Sequence, residues 1–426
     1  MAPGETPMKL DRYDNPIDDT VGYARGMVLK SSADEARKLL HAQKIATKRV
    51  LAKGIDSITV FTGNVRDYPI REDDISTLCE EWIGAGLLQD DLHSAAIQHL
   101  GGDASHAVFI ANRTSAGLIA AVCALSNGLP VLSVVPQNGR PHASVYRGCD
   151  LARVGLVNIE SNADMSPLES LPSGGLAVVT TVTSRLEIMA DAEISSAIQH
   201  ARRRAATVLL DEAYGARVRT LLKGGRPGLA LGADLVITNG DKAGLAGPRC
   251  GILAGKQALL DRVRTQASEW GMEARAPIQA GALRALQSFD GNRLIKQAGD
   301  GAALCAAMQD YWGEALHRTV LGPMINEDDI FEKVAHIAQY GEYRPTPCEV
   351  TSALGIVLLR DHGLITANTH GQPGASPTLR LKPVKDAVAR LEGADAVAGI
   401  IRNALETVAA NTRTPQQLAS LLYGET

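Results

Sequence analysis

The sequence predicts an α/β protein: a large domain with a mainly parallel sheet covered by helices on both faces, then a smaller α+β C-terminal domain. Three observations lead there. From about residue 105, short apolar runs alternate with helical stretches. The runs are continuously apolar rather than alternating, as strands buried on both faces are. The polar residues of interest lie at or just beyond the carboxyl ends of these runs, where open α/β sheets bind ligands.

The elements follow in order. Residues 1–30 are polar and read as an arm or loop. Ser31 or Ser32 can cap a helix that runs to about Lys53. Ile55 to Phe61 alternates like a strand, and Glu72 to Leu100 reads as two short helices around Gly84-Ala-Gly86. Ala107–Ala111 is a strand, Asn112–Ser115 a turn and Ala116–Leu125 a helix. Strands are expected at Pro130–Val135, Val154–Asn158, Gly175–Thr181, Ala206–Leu210, Leu235–Thr238 and Cys250–Ala254, with a helix over Ile194–Arg204. Leu259–Phe289 is helical with a break around Gly271 and Pro277. Beyond it, strands are expected near Ile356–Leu359, Gly363–Ile365 and Thr378–Leu381, and an amphipathic helix over Asp386–Ala409. The domain boundaries read as 1–60 (arm and helix), 61–285 (large domain) and 286–426 (small domain).

Composition narrows the function classes. A length of 426 residues suits two or three domains at roughly 100–200 residues each. Net charge is −4, which argues against a nucleic-acid partner. Arg202-Arg203-Arg204 is the densest positive run and reads as the solvated end of a helix. The six cysteines form no CxxC pair, so neither a zinc site nor a disulfide framework is expected. The amino-terminal stretch lacks a basic and apolar leader pattern, and no apolar run of about 18 residues exists. A cytoplasmic location and no membrane partner are the expectations.

Two residues carry the chemistry. The run Ala233 to Asn239 leads through a polar turn to Lys242, and the preceding strand ends in Asp211, 31 residues earlier (242 − 211). A lysine amine and a carboxylate on successive strand ends suit pyridoxal phosphate, which needs an amine for its Schiff base and a carboxylate for its ring nitrogen. Each alone is unremarkable: aspartates form turns, and loop lysines are usually solvated. Asn112-Arg113-Thr114-Ser115 opens a helix directly after a strand, either a phosphate site or a plain cap. His142 follows the next strand as a ring-stacking candidate or an ordinary surface or capping residue, and Ser144 is a weaker candidate beside it. Ala213 is small enough to lie under a ring. The joint order and spacing of these residues favour the cofactor.

These motifs resemble fold-type-I pyridoxal-phosphate enzymes over roughly residues 50–400. Gly240-Asp-Lys242 with its following Gly-Pro, Glu273-Ala-Arg275 and Gly281 to Leu286 resemble bacterial selenocysteine synthase and its archaeal relatives, as does Asn112 to Gly117 for the latter. His142-Ala-Ser-Val and Asp211-Glu-Ala-Tyr-Gly215 resemble ornithine/lysine/arginine decarboxylases, and Asp-Glu-Ala-Tyr also occurs in aminotransferases. The resemblance implies Lys242 as the Schiff-base lysine and Asp211 as partner of the ring nitrogen. It implies His142 stacked on the ring and Thr114 and Ser115 on the phosphate, with Thr238 or Asn239 reaching the same group. Arg249 lies near the phosphate arginine of aminotransferases, one residue out of register. The lysine–histidine pair of the decarboxylases is missing, because Asp241 precedes Lys242. Arg380 resembles the arginine that holds a substrate carboxylate, and Thr62-Gly63-Asn64 is a further substrate candidate.

The expected function is a lyase or transferase on an amino acid. It removes the Cα proton and then eliminates or replaces a β- or γ-substituent, with capture of the unsaturated intermediate by a nucleophile as one branch. The alternatives are an amino-acid α-decarboxylase, an aminotransferase, a selenocysteine-synthase-like transferase on aminoacyl-tRNA, and a non-enzymatic scaffold on the same fold. By resemblance, a homodimer or higher homo-oligomer is expected.

Overall fold

The computed structural model describes residues 9–72, 74, 80–163, 173–370 and 375–424. The chain divides into two compact units, 64–295 and 1–63 with 296–426.

Unit 64–295 holds a seven-stranded sheet. Its strands are β1 (His106–Ala111), β2 (Val131–Val135), β3 (Leu156–Glu160), β4 (Leu176–Thr180), β5 (Thr207–Asp211), β6 (Leu235–Asn239) and β7 (Gly251–Lys256). The spatial order is β1-β7-β6-β5-β4-β2-β3, and β7 runs antiparallel to both of its neighbours. The contacts from β6 across to β3 are parallel. The sheet is therefore mainly parallel, with one reversed strand.

Alternation of side chains explains the continuous apolar runs. Leu132, Val134, Ala177, Val179, Val208, Leu210 and Val236 pack into one core. Val131, Leu176, Val178, Leu209, Leu235 and Ile237 pack into another. Successive side chains point to opposite faces, so both faces must be apolar when helices cover both. Each such side chain contributes about 1.5–3 kcal/mol on burial. Helix Thr114–Leu125 covers one face, with seven of its residues buried. Gly117 lets it sit close: a Cβ there would meet Ile237 and Leu253 at 2.8 Å.

The other unit is α+β. A three-stranded antiparallel sheet (His317–Thr319, Gly322–Ile325, Leu379–Arg380) accompanies helices Ser32–Lys53, Glu327–Ala338, Pro347–His362 and Ala394–Ala410. Several expectations are corrected here. Ile356–Leu359 is not a strand: it lies inside helix Pro347–His362, whose residues from Pro347 to Leu359 are all buried. A helix surrounded on every side has no polar stripe, so its apolar run mimics a buried strand. Its start was still written in Thr346-Pro-Cys-Glu349, a capping box with proline at the first turn. The helix expected over 386–409 is broken at Gly393, where φ is 110°.

Of the stretch expected to be an arm or loop, residues 21–29 pack into the core. Val21, Tyr23 and Leu29 are buried in this unit's core, and Glu349 accepts hydrogen bonds from the amides of Val28 and Leu29. Ile55–Ser57 is a short 3-10 turn, and only Thr59–Val60 is strand. One helix, Glu81–Leu100, runs straight through Gly84-Ala-Gly86, where two were expected. Residues 73 and 75–79, including Cys79, lie outside the described residues. No disulfide joins the other five cysteines, and among the described residues no helix is long and apolar enough to cross a membrane.

Candidate active site

The carboxyl ends of β1, β2, β5 and β6 and the start of β7 lie along one edge of the sheet. Register fixes this, since Gly251 pairs with both Ala111 and Asn239. That edge brings together Asn112–Ser115, His142, Asp211, Ala213 and Lys242.

Asp211 is buried at the end of β5. Its carboxylate accepts a bond from the amide of Ala213 at 3.2 Å. Burial pushes its pKa up to about 6, partly offset by that bond and by the Lys242 cation. Lys242 is half-buried on the turn after β6, and its Nζ lies 4.9 Å from the centre of the Tyr214 ring. Ala213, between them in the chain, is half-buried with its methyl partly open.

His142 caps helix Ala143–Ala152, as its capping alternative expected. Its Nδ1 accepts from the Ser144 amide at 3.2 Å, with the Ser144 hydroxyl 2.8 Å away. The residue is exposed overall, yet its ring is crowded by protein. That crowding, with the nearby cations Lys242, Arg147, Arg113 and Arg140, holds its pKa down to about 3. A neutral ring is suited to stacking.

Helix Thr114–Leu125 starts at this edge without a side-chain cap, because Arg113 occupies the N-cap position. The plain-cap alternative therefore has no side chain to serve it. Gly251 allows the close fit: a Cβ there would lie 2.9 Å from the Arg113 carbonyl oxygen and from the Thr114 Cα. The Thr114 hydroxyl donates to the Cys250 carbonyl at 3.3 Å. Ser115 is half-buried in the first turn. Asn112 is turned toward residues 271–272, its amide nitrogen bonding the Met272 carbonyl at 2.8 Å.

Thr238 and Asn239 build the lysine turn. The Thr238 hydroxyl, fully buried, donates to the Glu212 carbonyl at 2.8 Å. Asn239 donates to the Ala213 carbonyl at 2.5 Å and accepts from the Lys242 amide at 3.1 Å. Arg380 lies in the other unit, on strand Leu379–Arg380, with a bond from its Nη2 to the Ser376 carbonyl at 3.3 Å. Thr62 and Gly63 pair with Lys382 in that same unit, whereas Asn64 pairs with Lys242.

Three participants escaped the sequence reading. Arg66 follows the Asn64–Val65 segment that pairs with the turn, and its Nε meets the buried Asp241 carboxylate at 3.0 Å. Arg249 reaches the same oxygen at 3.8 Å. Burial and the neighbouring Arg66 and Arg113 bring Arg249 down to about 10, with Asp241 opposing. Three guanidinium groups around one carboxylate leave an excess of positive charge. Tyr214 and Arg217 are the others. No local signal marks an arginine that will be buried, since the same letter in a helix is usually solvated. Among the described residues no group of three or more His, Cys, Asp or Glu side chains could hold a metal ion.

Residues 88–380 match aminotransferase class I and II. The chain belongs to that family. A relative in Methanothermobacter thermautotrophicus, named a UPF0425 pyridoxal phosphate-dependent protein, is 31% identical over 86% of this chain and 92% of its own. Among solved structures, a serine palmitoyltransferase from S. paucimobilis superposes with a TM-score of 0.57 at 17% identity, over 82% of this chain and 88% of that one. The SepCysS–SepCysE N-terminal domain complex gives 0.53 at 14% identity, over 85% and 98%. At those identities the likeness speaks for the fold: this member of the aminotransferase class I and II family has the fold-type-I architecture.

Proposed function

We propose that this protein is a pyridoxal-phosphate enzyme acting on an amino acid, removing the Cα proton and eliminating or replacing a β- or γ-substituent. The observation that carries the reading is the pairing of Asp211 with Lys242 on adjacent strand ends. The carboxylate is buried, its proton affinity is raised, and it accepts from the Ala213 amide. A protonated ring nitrogen would give it a charged hydrogen-bond partner.

The rest of the site fits the same group. The uncapped start of helix Thr114–Leu125, with Ser115 and the guanidinium groups of Arg113 and Arg249, would hold the phosphate. His142 would lie against the ring and Ala213 beside it. Bound there, the cofactor would supply an electron sink for negative charge at the substrate Cα. Lys242 would anchor the cofactor and, once the substrate amine takes its place, carry the Cα proton. Arg380 would hold the substrate carboxylate. The Gly240-Asp-Lys242 motif supports elimination or replacement, and Asp241 in place of the decarboxylase histidine weighs against decarboxylation. Aminotransfer is the second reading, favoured by the family match over 88–380. A homodimer is part of the proposal.

The test is the visible absorbance of protein supplied with pyridoxal phosphate, beside Lys242→Ala, with a panel of amino acids. The expected result is a yellow band in the wild type, its loss in Lys242→Ala, and release of a keto acid with ammonium. Pyridoxamine phosphate would replace this reaction by aminotransfer, and carbon dioxide by decarboxylation. A colourless wild type would overturn the cofactor reading.

A further inference from the structure

Arg217 is among the largest fully buried side chains of the protein, with no measurable exposure. It sits in helix Gly215–Lys223, which opens four residues after Asp211. A buried guanidinium must place its donors, because it has no acceptor and cannot easily shed its charge. Here they go to the lysine turn. Nε donates to the Lys242 carbonyl at 3.2 Å. Nη2 donates to the Asn239 carbonyl at 3.1 Å and to Asn239 Oδ1 at 2.9 Å. Nη1 faces His99 Nε2 at 3.1 Å. Since arginine only donates, that ring nitrogen accepts and His99 is neutral, in line with the burial and the Arg217 charge that bring its pKa down to about 3.

Asn239 closes the network. Its Oδ1 serves both Arg217 and the Lys242 amide, and its Nδ2 holds the Ala213 carbonyl. The turn needs such support. Ala243 has φ 50° and Gly244 φ 83°, so the backbone just after the lysine is in the left-handed region, which alanine rarely adopts. One side chain thus ties the backbone on both sides of that turn to the segment bearing Asp211.

We propose that Arg217 is a positioning residue that fixes Lys242 relative to Asp211, by gripping the Asn239–Lys242 turn from beneath. It touches neither cofactor nor substrate. This rests on the cofactor reading above for its catalytic consequence but not for the grip itself. Lysine at 217 would keep the charge, yet one ammonium cannot span the Lys242 carbonyl and both Asn239 oxygens.

The experiment compares wild type, Arg217→Lys and Asn239→Ala, each with and without pyridoxal phosphate. Amide deuterium uptake is followed over residues 239–247, with visible circular dichroism of the bound cofactor and kcat and KM for the most active amino acid of the panel. In Arg217→Lys, uptake is expected to rise over 239–247 and not elsewhere, and the dichroic band to shrink. The kcat should fall by roughly 10²-fold, the cost of a misplacement of about 1 Å, with KM little changed. Unchanged uptake and dichroism in Arg217→Lys would overturn the proposal. If that variant loosens throughout, Asn239→Ala decides: it leaves the guanidinium in place but removes the oxygen shared with the Lys242 amide. It should give the same local signature, and wild-type behaviour would sink the idea. A wild type that takes up no cofactor would remove the reading of function, while uptake in the cofactor-free protein would still decide the grip.

Discussion

Asp211 and Glu212 are neighbours at one strand end, both buried, and they lead opposite lives. Glu212 is met by Arg219 at 2.6 and 3.1 Å and by the Thr181 hydroxyl at 3.3 Å. Arg219, itself buried, also bonds the half-buried Asp191. Asp211 is left with one backbone amide and the more distant Lys242 charge. The arginines of the following helix divide in the same way. Arg219 serves the carboxylate on the structural side, and Arg217 serves the carbonyl groups of the lysine turn. Burial of a carboxylate costs the same chemistry on both sides. On one side a guanidinium meets it at Oε1, while Oε2 has no partner among the described residues; on the other a backbone amide and the Lys242 charge offset it in part. Burial holds both carboxyls above their usual range, and groups so perturbed concentrate at functional sites.

The sharpest way to break the contrast is to neutralise each carboxylate in turn. Glu212→Gln removes one of the two carboxylates that neutralise the buried Arg219 and should cost about 3 kcal/mol of stability by denaturant unfolding, without moving the cofactor band of the molecules that remain folded. Asp211→Asn should cost no stability near neutral pH and cut turnover by roughly 10²–10⁴-fold. Equal effects of the two on stability would erase the distinction.

The second test uses pH. In the cofactor-free protein, Asp211 binds its proton more tightly folded than unfolded, near 6 against 3.8. The folded state therefore holds more protons between those values, and stability falls as pH rises through that window. The penalty is absent below about pH 3.8, complete above about 6, and approaches about 3 kcal/mol at roughly 1.4 kcal/mol per tenfold change in proton affinity. Asp211→Asn should thus be the more stable apoprotein at pH 7.5, and the two should converge at pH 4. Pyridoxal phosphate should remove the wild-type penalty. Urea titrations at the two pH values measure this.

The smallest expected effect concerns the phosphate turn. Gly251→Ala places a methyl against Arg113 and Thr114 and should cost about 1–3 kcal/mol of local fit. Weaker cofactor retention by equilibrium dialysis, with a nearly unchanged melting temperature, is the expected outcome. Unchanged retention would separate this turn from the site.

Much of the fold was readable because burial on both faces leaves a plain mark. Val131–Val135, Leu176–Thr180 and the Leu235–Ile237 part of β6 are apolar at nearly every position, and sheet strands with that pattern are covered twice. The same rule misled at Ile356–Leu359, where a helix enclosed on all sides writes the same letters. Of the site, Lys242, Asp211 and the Arg113–Thr114 turn were visible because each stands at a strand end, next to a change from apolar to polar sequence. Arg66, Tyr214 and Arg217 were not, since nothing local distinguishes them from solvated residues.

The sequence by itself determined the alternation of strands and helices, the order of the chemical groups and the family. Those are properties of local periodicity and of motifs contiguous in the chain. Only the tertiary structure decided which of two adjacent carboxylates would meet a buried guanidinium, which arginine would be buried under the lysine turn, and that Thr238 and Asn239 would brace that turn. Each of those outcomes depends on desolvation and on partners far apart in sequence, as with Arg66 and Asp241 or His99 and Arg217. Proximity of that kind exists only once the sheet has set its strands side by side.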